Sequence, residues 1–421
     1  MYNGQDFEKW DNTIEQKIWI IMKVWAETQF NFAFFENVPE INWEKECRKV
    51  IHELLATTNV KEFYQILQEL LAQLQDGHTF ILPPINELAN QDRPALSFQI
   101  IEDKVIITEV GDSEELLKND IVLGLEVTKI NNQPAKEYLH DNFIRYYQGN
   151  TKHGGEAFGL IPLLSGELDS KVELTLKDLI GKTKTVKLTR NSLLRNGQKF
   201  PNNLFNFGPL LTKRMLDDQI VYFKFSTFTT EQIVDDFKKE LEKLDLEKIK
   251  GMILDIRSNT GGNSLYGNNI ISLLIDQPIE GEIWRTRKYL PAFRSWGKPE
   301  EWYKGSTGLI QPSEGKKYLG PLVVLTNNAT MSAAEDFVVP LKYANRATIV
   351  GDQTAGSTGN PITLILPGGY IFNVCSLVST FPDGEKFVGI GIKPDITLKP
   401  TQKDIFDQRD IVLLKAMELL G

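Results

Sequence analysis

The sequence predicts an α/β core preceded by a helical N-terminal region and a strand-rich middle segment. Three observations carry that reading. Residues 1 to about 81 repeat apolar side chains at helical spacing, and residues 96 to about 190 hold short runs rich in β-branched residues. Beyond about residue 215, strand and helix signals alternate, the layering of an α/β domain. A chain of 421 residues has room for such a division, expected here as 1–90, 91–195 and 196–421.

In the first region, Phe63, Ile66, Leu67, Leu70, Leu71 and Leu74 recur at steps of three and four and form one apolar face. Leu82-Pro-Pro-Ile-Asn-Glu through Asn90-Gln-Asp-Arg-Pro94 is polar and proline-rich and reads as a linker. Strand signals follow at Phe98–Ile101, Val105–Val110, Val122–Val127, Val172–Leu176 and Thr185–Leu188. Ile220-Val-Tyr-Phe-Lys-Phe opens the last region as a strand, and Thr229-x-x-Gln232 reads as a capping box before the amphipathic stretch Ile233, Phe237, Leu241, Leu244. Lys250-Gly-Met-Ile-Leu-Asp-Ile, Pro321-Leu-Val-Val-Leu-Thr and Ala347-Thr-Ile-Val-Gly are near-continuous apolar runs, as buried parallel strands require. A helix is expected from Ser332 to Tyr343, and an outer amphipathic one from Ile411 to Leu420.

Composition excludes several classes of function. Lysine and arginine number 47 against 56 acidic residues, for a net charge of −9, and no basic stripe suits nucleic acid. Cys47 and Cys375 are too few and too distant for a disulfide framework or a zinc ribbon, and four histidines offer little for a metal site, so no cofactor or metal is expected. No apolar run approaches the ~18 residues of a membrane helix, so no membrane partner is expected. The start of the chain lacks a signal-peptide pattern; the protein is expected to be cytoplasmic, or exported with its signal removed.

Three loops at element ends hold the chemistry. Asp255-Ile-Arg-Ser-Asn-Thr-Gly-Gly262 follows a buried strand, and its paired glycines let backbone N–H groups approach a ligand. Asn327-Asn-Ala-Thr-Met-Ser-Ala-Ala-Glu335 joins a buried strand to a helix and sets Ser332 where the helix dipole favours developing negative charge, although a serine there is more often a plain N-cap. Gln75-Asp-Gly-His-Thr79 puts His78 in a turn that can aim its ring. A serine hydroxyl needs an adjacent base, and histidine has the pKa for that task. His52 in a helical run, His140 in a charged segment and His153 in a glycine loop are weaker candidates.

Taken together, these loops with Gly351-Asp-Gln-Thr354-Ala-Gly356 and Gly389-Ile-Gly391-Ile-Lys-Pro394-Asp395 occur in the order found in the tail-specific (C-terminal processing) and tricorn-type serine peptidases, which this sequence resembles over about 215–400. Gly124-Leu-Glu-Val-Thr-Lys-Ile-Asn-Asn-Gln-Pro resembles part of a PDZ domain. The resemblance implies a ClpP/crotonase-like α/β core and a peptidase acting on peptide or unfolded-protein substrates, recognised through their C-termini. It leaves a homo-oligomer open. It puts Ser332 at the nucleophile position and the N–H groups of Ala333 and of the Gly261/Gly262 turn at the oxyanion hole. Processing peptidases use a lysine base where this chain has Ser357, so the resemblance transfers the base to His78, as in tricorn-type members. The glutamate that orders the histidine in those members has no direct counterpart; Val388 stands near its place, and Glu385 or Asp383, Ser357 and Asp76 are the alternatives. Glu335 is expected to be structural, and Arg257 and Asn259 to brace the glycine turn. A non-catalytic binding protein on the same scaffold is the competing reading, and a crotonase-type acyl-CoA enzyme a third.

Overall fold

Six strands form the central sheet of the computed structural model, which describes residues 8–84, 91–191, 194–195, 198–199, 209–217 and 219–421. In spatial order they are Leu211–Leu216, Ile220–Phe225, Gly251–Asp255, Leu322–Thr326, Thr348–Gly351 and Ile396–Thr397. Only the first pairs antiparallel; the others run parallel. Side chains alternate between two apolar layers. Val221, Phe223, Met252, Leu254, Val324 and Ile349 enter one layer, and Ile220, Tyr222, Ile253, Val323, Leu325 and Val350 the other, beneath the helix Ile411–Leu420. Burial on both faces explains the uninterrupted apolar runs of these strands.

The larger layer also takes in the N-terminal helices Ile14–Asn31, Trp43–Ala56 and Val60–Ala72, through Ile20, Val24, Leu54, Phe63, Leu67 and Leu71. Those helices therefore share a core with the α/β sheet. After the third helix the chain turns at Asp76-Gly-His78 and enters the strand Phe80–Leu82, which pairs antiparallel with Tyr370–Cys375. Tyr370–Cys375 also pairs with Pro361–Leu366, so His78 enters beside a three-stranded sheet distinct from the central one.

Residues 96–189 build a sheet of their own: Leu96–Ile101, Lys104–Val110, Glu126–Ile130, Lys171–Lys177 and Thr183–Thr189 pair antiparallel around a separate apolar core that includes Val105, Val127, Leu163, Leu174 and Leu188. Part of the expected linker, 85–90, lies outside the described residues, and both expected boundaries, 90–91 and 195–196, abut such residues. This module docks on the rest at several points, polar and aromatic, one of them at Gln402. Gln402 Nε2 donates to the Gly124 carbonyl at 2.9 Å, and Lys104 Nζ to Gln402 Oε1 at 3.1 Å.

Two local expectations change. The stretch at Gly154-Gly155 is not a loop but the helix Lys152–Leu160, capped by the Thr151 hydroxyl, which accepts from Gly154 N–H. Thr229 caps nothing: the helix begins at Gln232 without a side-chain cap. The sequence reading also passed over an excursion at 279–310, where Ile283–Lys288 pairs with Glu301–Ser306 and with Leu377–Thr380.

Candidate active site

Three loops leave the C-terminal ends of adjacent parallel strands, after Asp255, Thr326 and Gly351, the edge where open α/β sheets gather their ligands. Hydrogen bonds tie them to one another. Met331 N–H donates to the Asn259 carbonyl at 3.1 Å, Ala355 N–H to the Thr330 carbonyl at 2.9 Å, and Ser332 N–H to the Ser357 carbonyl at 2.7 Å. Thr330 Oγ donates to the Ile256 carbonyl at 3.0 Å. The later glycine motif holds the third loop from outside: Gly389 N–H donates to the Gly356 carbonyl at 2.8 Å and Ile392 N–H to Thr354 Oγ at 2.7 Å.

Ser332 precedes the helix Ala333–Tyr343 with φ 57° and ψ −133°, a conformation that costs a residue with a Cβ about 1–3 kcal/mol. Its hydroxyl does not cap the helix. Instead Ser332 Oγ lies 3.0 Å from His78 Nε2. The other ring nitrogen, Nδ1, lies 3.1 Å from Ser357 Oγ, so the imidazole is held at both ends. With Nε2 accepting the Ser332 proton, Nδ1–H donates to Ser357. Burial favours the neutral ring and lowers the His78 pKa below its usual 6.5, against the opposing pull of Asp76 and Asp336.

The four residues weighed as supports divide clearly. Ser357 touches the ring. Glu335 anchors Ser357 from behind: its carboxyl accepts from Ser357 N–H at 2.8 Å, Gly356 N–H at 2.8 Å and Thr354 Oγ at 2.5 Å. Burial pushes that carboxyl up to about 7, with the three donors pulling the other way. Asp76 bonds Thr79 Oγ at 2.6 Å and Asn150 Nδ2 at 2.8 Å and reaches His78 through its charge. Glu385 is a correction: it is exposed, and its bonds close the turn 381–385, with Phe381 N–H donating to its carbonyl and its own N–H donating to Asp383. Val388 is buried in the main apolar core.

The oxyanion hole is corrected as well. Asn259 Oδ1 accepts the Gly261 N–H at 2.9 Å, so that amide is spent. Gly262 N–H and Ala333 N–H have no partner among the described residues, so both are free to donate. Gly261 contributes space. At φ 93°, a Cβ there would stand 2.7 Å from both Ala333 N and Ser332 Cβ. Asn259 braces the glycine turn as expected, but Arg257 does not. Its guanidinium clamps Asp255 at 2.6 Å and Asp410 at 2.8 Å, tying the first loop to the C-terminal helix.

Of the remaining histidines, His140 pairs with Asp141 on the surface, and His153 Nε2 donates to the Thr354 carbonyl at 2.8 Å. Asn150 was missed, because nothing in its local sequence marks it and its partners Gly77 and Asp76 lie 73 and 74 positions away; Thr79 and Thr354 stand in motifs the sequence reading used, which gave them no role. Among the described residues no group of side chains could hold a metal ion, and no helix is long and apolar enough to cross a membrane.

A serine with a histidine at hydrogen-bond distance, beside two free amides at a helix start, defines a serine hydrolase site on an α/β sheet. Residues 219–398, which carry Ser332 and the glycine turn, match the model of peptidase family S41, the finding that marks this chain as a serine-type peptidase. It is 26% identical over 352 residues to a C-terminal processing peptidase, chloroplastic, of Tetradesmus obliquus, covering 80% of this chain and 68% of that protein. It is also 26% identical to a carboxy-terminal-processing protease of Bartonella bacilliformis, covering 69% of this chain and 64% of that one. The chain thus spans about two thirds of the length of these relatives. Among solved structures, mature CPAF complexed with lactacystin superposes with a TM-score of 0.74 at 16% identity, over 96% of this chain and 97% of that one. The photosystem II D1 C-terminal processing protease gives 0.53 at 22% identity, over 92% and 94%.

Proposed function

We propose that this chain hydrolyses peptide bonds by acyl transfer, with Ser332 as nucleophile and His78 as general base. The observation that carries the reading is the 3.0 Å approach of His78 Nε2 to Ser332 Oγ, with Nδ1 fixed by Ser357. In the first half-reaction His78 takes the hydroxyl proton as Ser332 Oγ attacks the peptide carbonyl carbon. The carbonyl oxygen gains the negative charge and sits against the Gly262 and Ala333 amides, the latter at the positive end of an 11-residue helix. The imidazolium then gives its proton to the leaving amine. Water, deprotonated by the same ring, releases the acyl group in the second half.

In this reading the chain divides into a helical region at 1–90 that supplies the base, a PDZ-like module at 91–195 and a ClpP/crotonase-like core at 196–421. The module would receive the C-terminus of a peptide or unfolded protein. The names of the relatives as C-terminal processing peptidases support that substrate class. A fluorophosphonate probe tests the mechanism: it labels Ser332 in the native chain and fails to label Ser332→Ala or the acid-unfolded protein. A native chain that resists the probe and cleaves no unfolded substrate would instead be the non-catalytic binding protein.

A further inference from the structure

The turn that carries His78 is held by a residue from outside its own region. Asn150 Oδ1 accepts the Gly77 N–H at 3.0 Å, while Asn150 Nδ2 donates to Asp76 Oδ1 at 2.8 Å. The two bonds fix the amide's orientation, since a backbone N–H needs an acceptor and a carboxylate a donor. Gly77 is pressed between two neighbours: a Cβ there would stand 2.6 Å from Ser357 Oγ and 3.5 Å from Asn150 Oδ1. The next residue, Thr151, donates to the Ala355 carbonyl at 2.7 Å, in the loop that presents Ser357. Three residues before Asn150, the Tyr147 ring packs on Phe80, which follows the His78 turn, and stacks on Phe158.

We propose that Asn150 is a positioning residue for catalysis, holding the Asp76-Gly77-His78 turn so that the imidazole spans Ser357 and Ser332. Asn150 touches neither reacting atom. It acts by fixing the backbone beneath His78 and by donating to the Asp76 carboxyl, whose pKa burial raises and this hydrogen bond pulls back toward the ionised form. It lies in the 91–195 segment, so the base is in place only while that segment is docked against the core. The inference rests on the reading of His78 as the base.

The charged and titratable groups around this turn are Asp76 and Asp336, which raise the His78 pKa, and Tyr147 and Cys375, which face Asp76 and are kept neutral by burial. In Asn150→Ala, Asp76 loses a donor to its ionised form, so its own pKa rises and its support for the imidazolium weakens. The acid limb of kcat/KM then moves to lower pH.

The test measures kcat, KM and the pH profile of the full chain and of Asn150→Ala, with circular dichroism to confirm folding. The expected result is a 10- to 100-fold loss in kcat, KM within about threefold, and an acid limb displaced downward. Asn150→Asp covers the case in which the alanine variant fails to fold. It is nearly isosteric, keeps the acceptor for Gly77 and loses the donor to Asp76, and about a tenfold loss in kcat is expected. Either variant folded and with wild-type kcat and acid limb, beside an inactive His78→Gln chain, overturns the inference alone. A His78→Gln chain at full kcat overturns the base assignment and the inference with it.

Discussion

Ser332 holds a backbone conformation that no helix cap requires, and the strain is sustained by three bonds: its N–H to the Ser357 carbonyl, and its own carbonyl accepting from Glu335 N–H at 2.7 Å and Asp336 N–H at 3.1 Å. Ser332→Gly should relieve the strain and raise stability by about 1 kcal/mol while abolishing hydrolysis. Ser332→Ala should be as inactive, on the order of 10⁴-fold down in kcat, at near-native stability. Thermal melts beside peptide-cleavage rates check both, and a glycine variant less stable than the native chain would contradict the strain argument. For His78, the lowered pKa places the acid limb of kcat/KM below the usual 6.5 of a free histidine, with activity lost as pH falls through the lowered value. A limb above 6.5 would show that the charges of Asp76 and Asp336 outweigh burial. Ser332 and His78, which the fold brings to hydrogen-bond distance, were legible in sequence because each sits in a short motif. Ser357 was one of several open supports, since its contact with the ring spans 279 positions.

At the level of elements, the site depends on how closely loop backbones approach. Gly261→Ala would set a methyl group against Ala333 N and Ser332 Cβ at a φ that disfavours alanine, so activity should fall at least 100-fold. Gly384→Ala is the matched control: it has a similar φ of 90° but nothing within 4 Å of the new methyl, so its cost is confined to local strain and its kcat should stay near native. Equal kcat losses in the two variants would refute the close-approach argument. The parallel strands and the helix after Ser332 were legible because double burial forces unbroken apolar runs. The helix Lys152–Leu160 was not, because Gly154 and Gly155 hide it. Both glycines are used for proximity: a Cβ on Gly154 would meet the Ala355 carbonyl at 2.7 Å, and one on Gly155 would meet Gly149 N at 2.9 Å. That the Gly261 amide is occupied was equally illegible, because Asn259 takes it only once the turn has folded.

For the molecule as a whole, the Glu335 contribution to stability should fall with rising pH while catalysis rises. The native state holds a proton on Glu335 up to about 7, whereas the unfolded chain releases it near 4.5. A raised carboxyl pKa gives stability that is complete below 4.5 and is lost as pH rises through about 7, a contribution on the order of 3 kcal/mol. His78 runs the other way, because its neutral buried ring loses stability as pH falls from 6.5 through its lowered value. Comparison with Glu335→Gln isolates the carboxyl. The amide cannot ionise, and its NH2 must face the Ser357 N–H or the Thr354 and Gly356 donors, so the variant should be less stable by about 1–3 kcal/mol at pH 5. Native stability should then decline relative to the variant as pH rises to 8, so the gap between them closes or reverses. Denaturant unfolding of both chains across pH 5–8 measures that gap. A gap that stays constant across the range would mean that the three converging donors keep Glu335 ionised throughout.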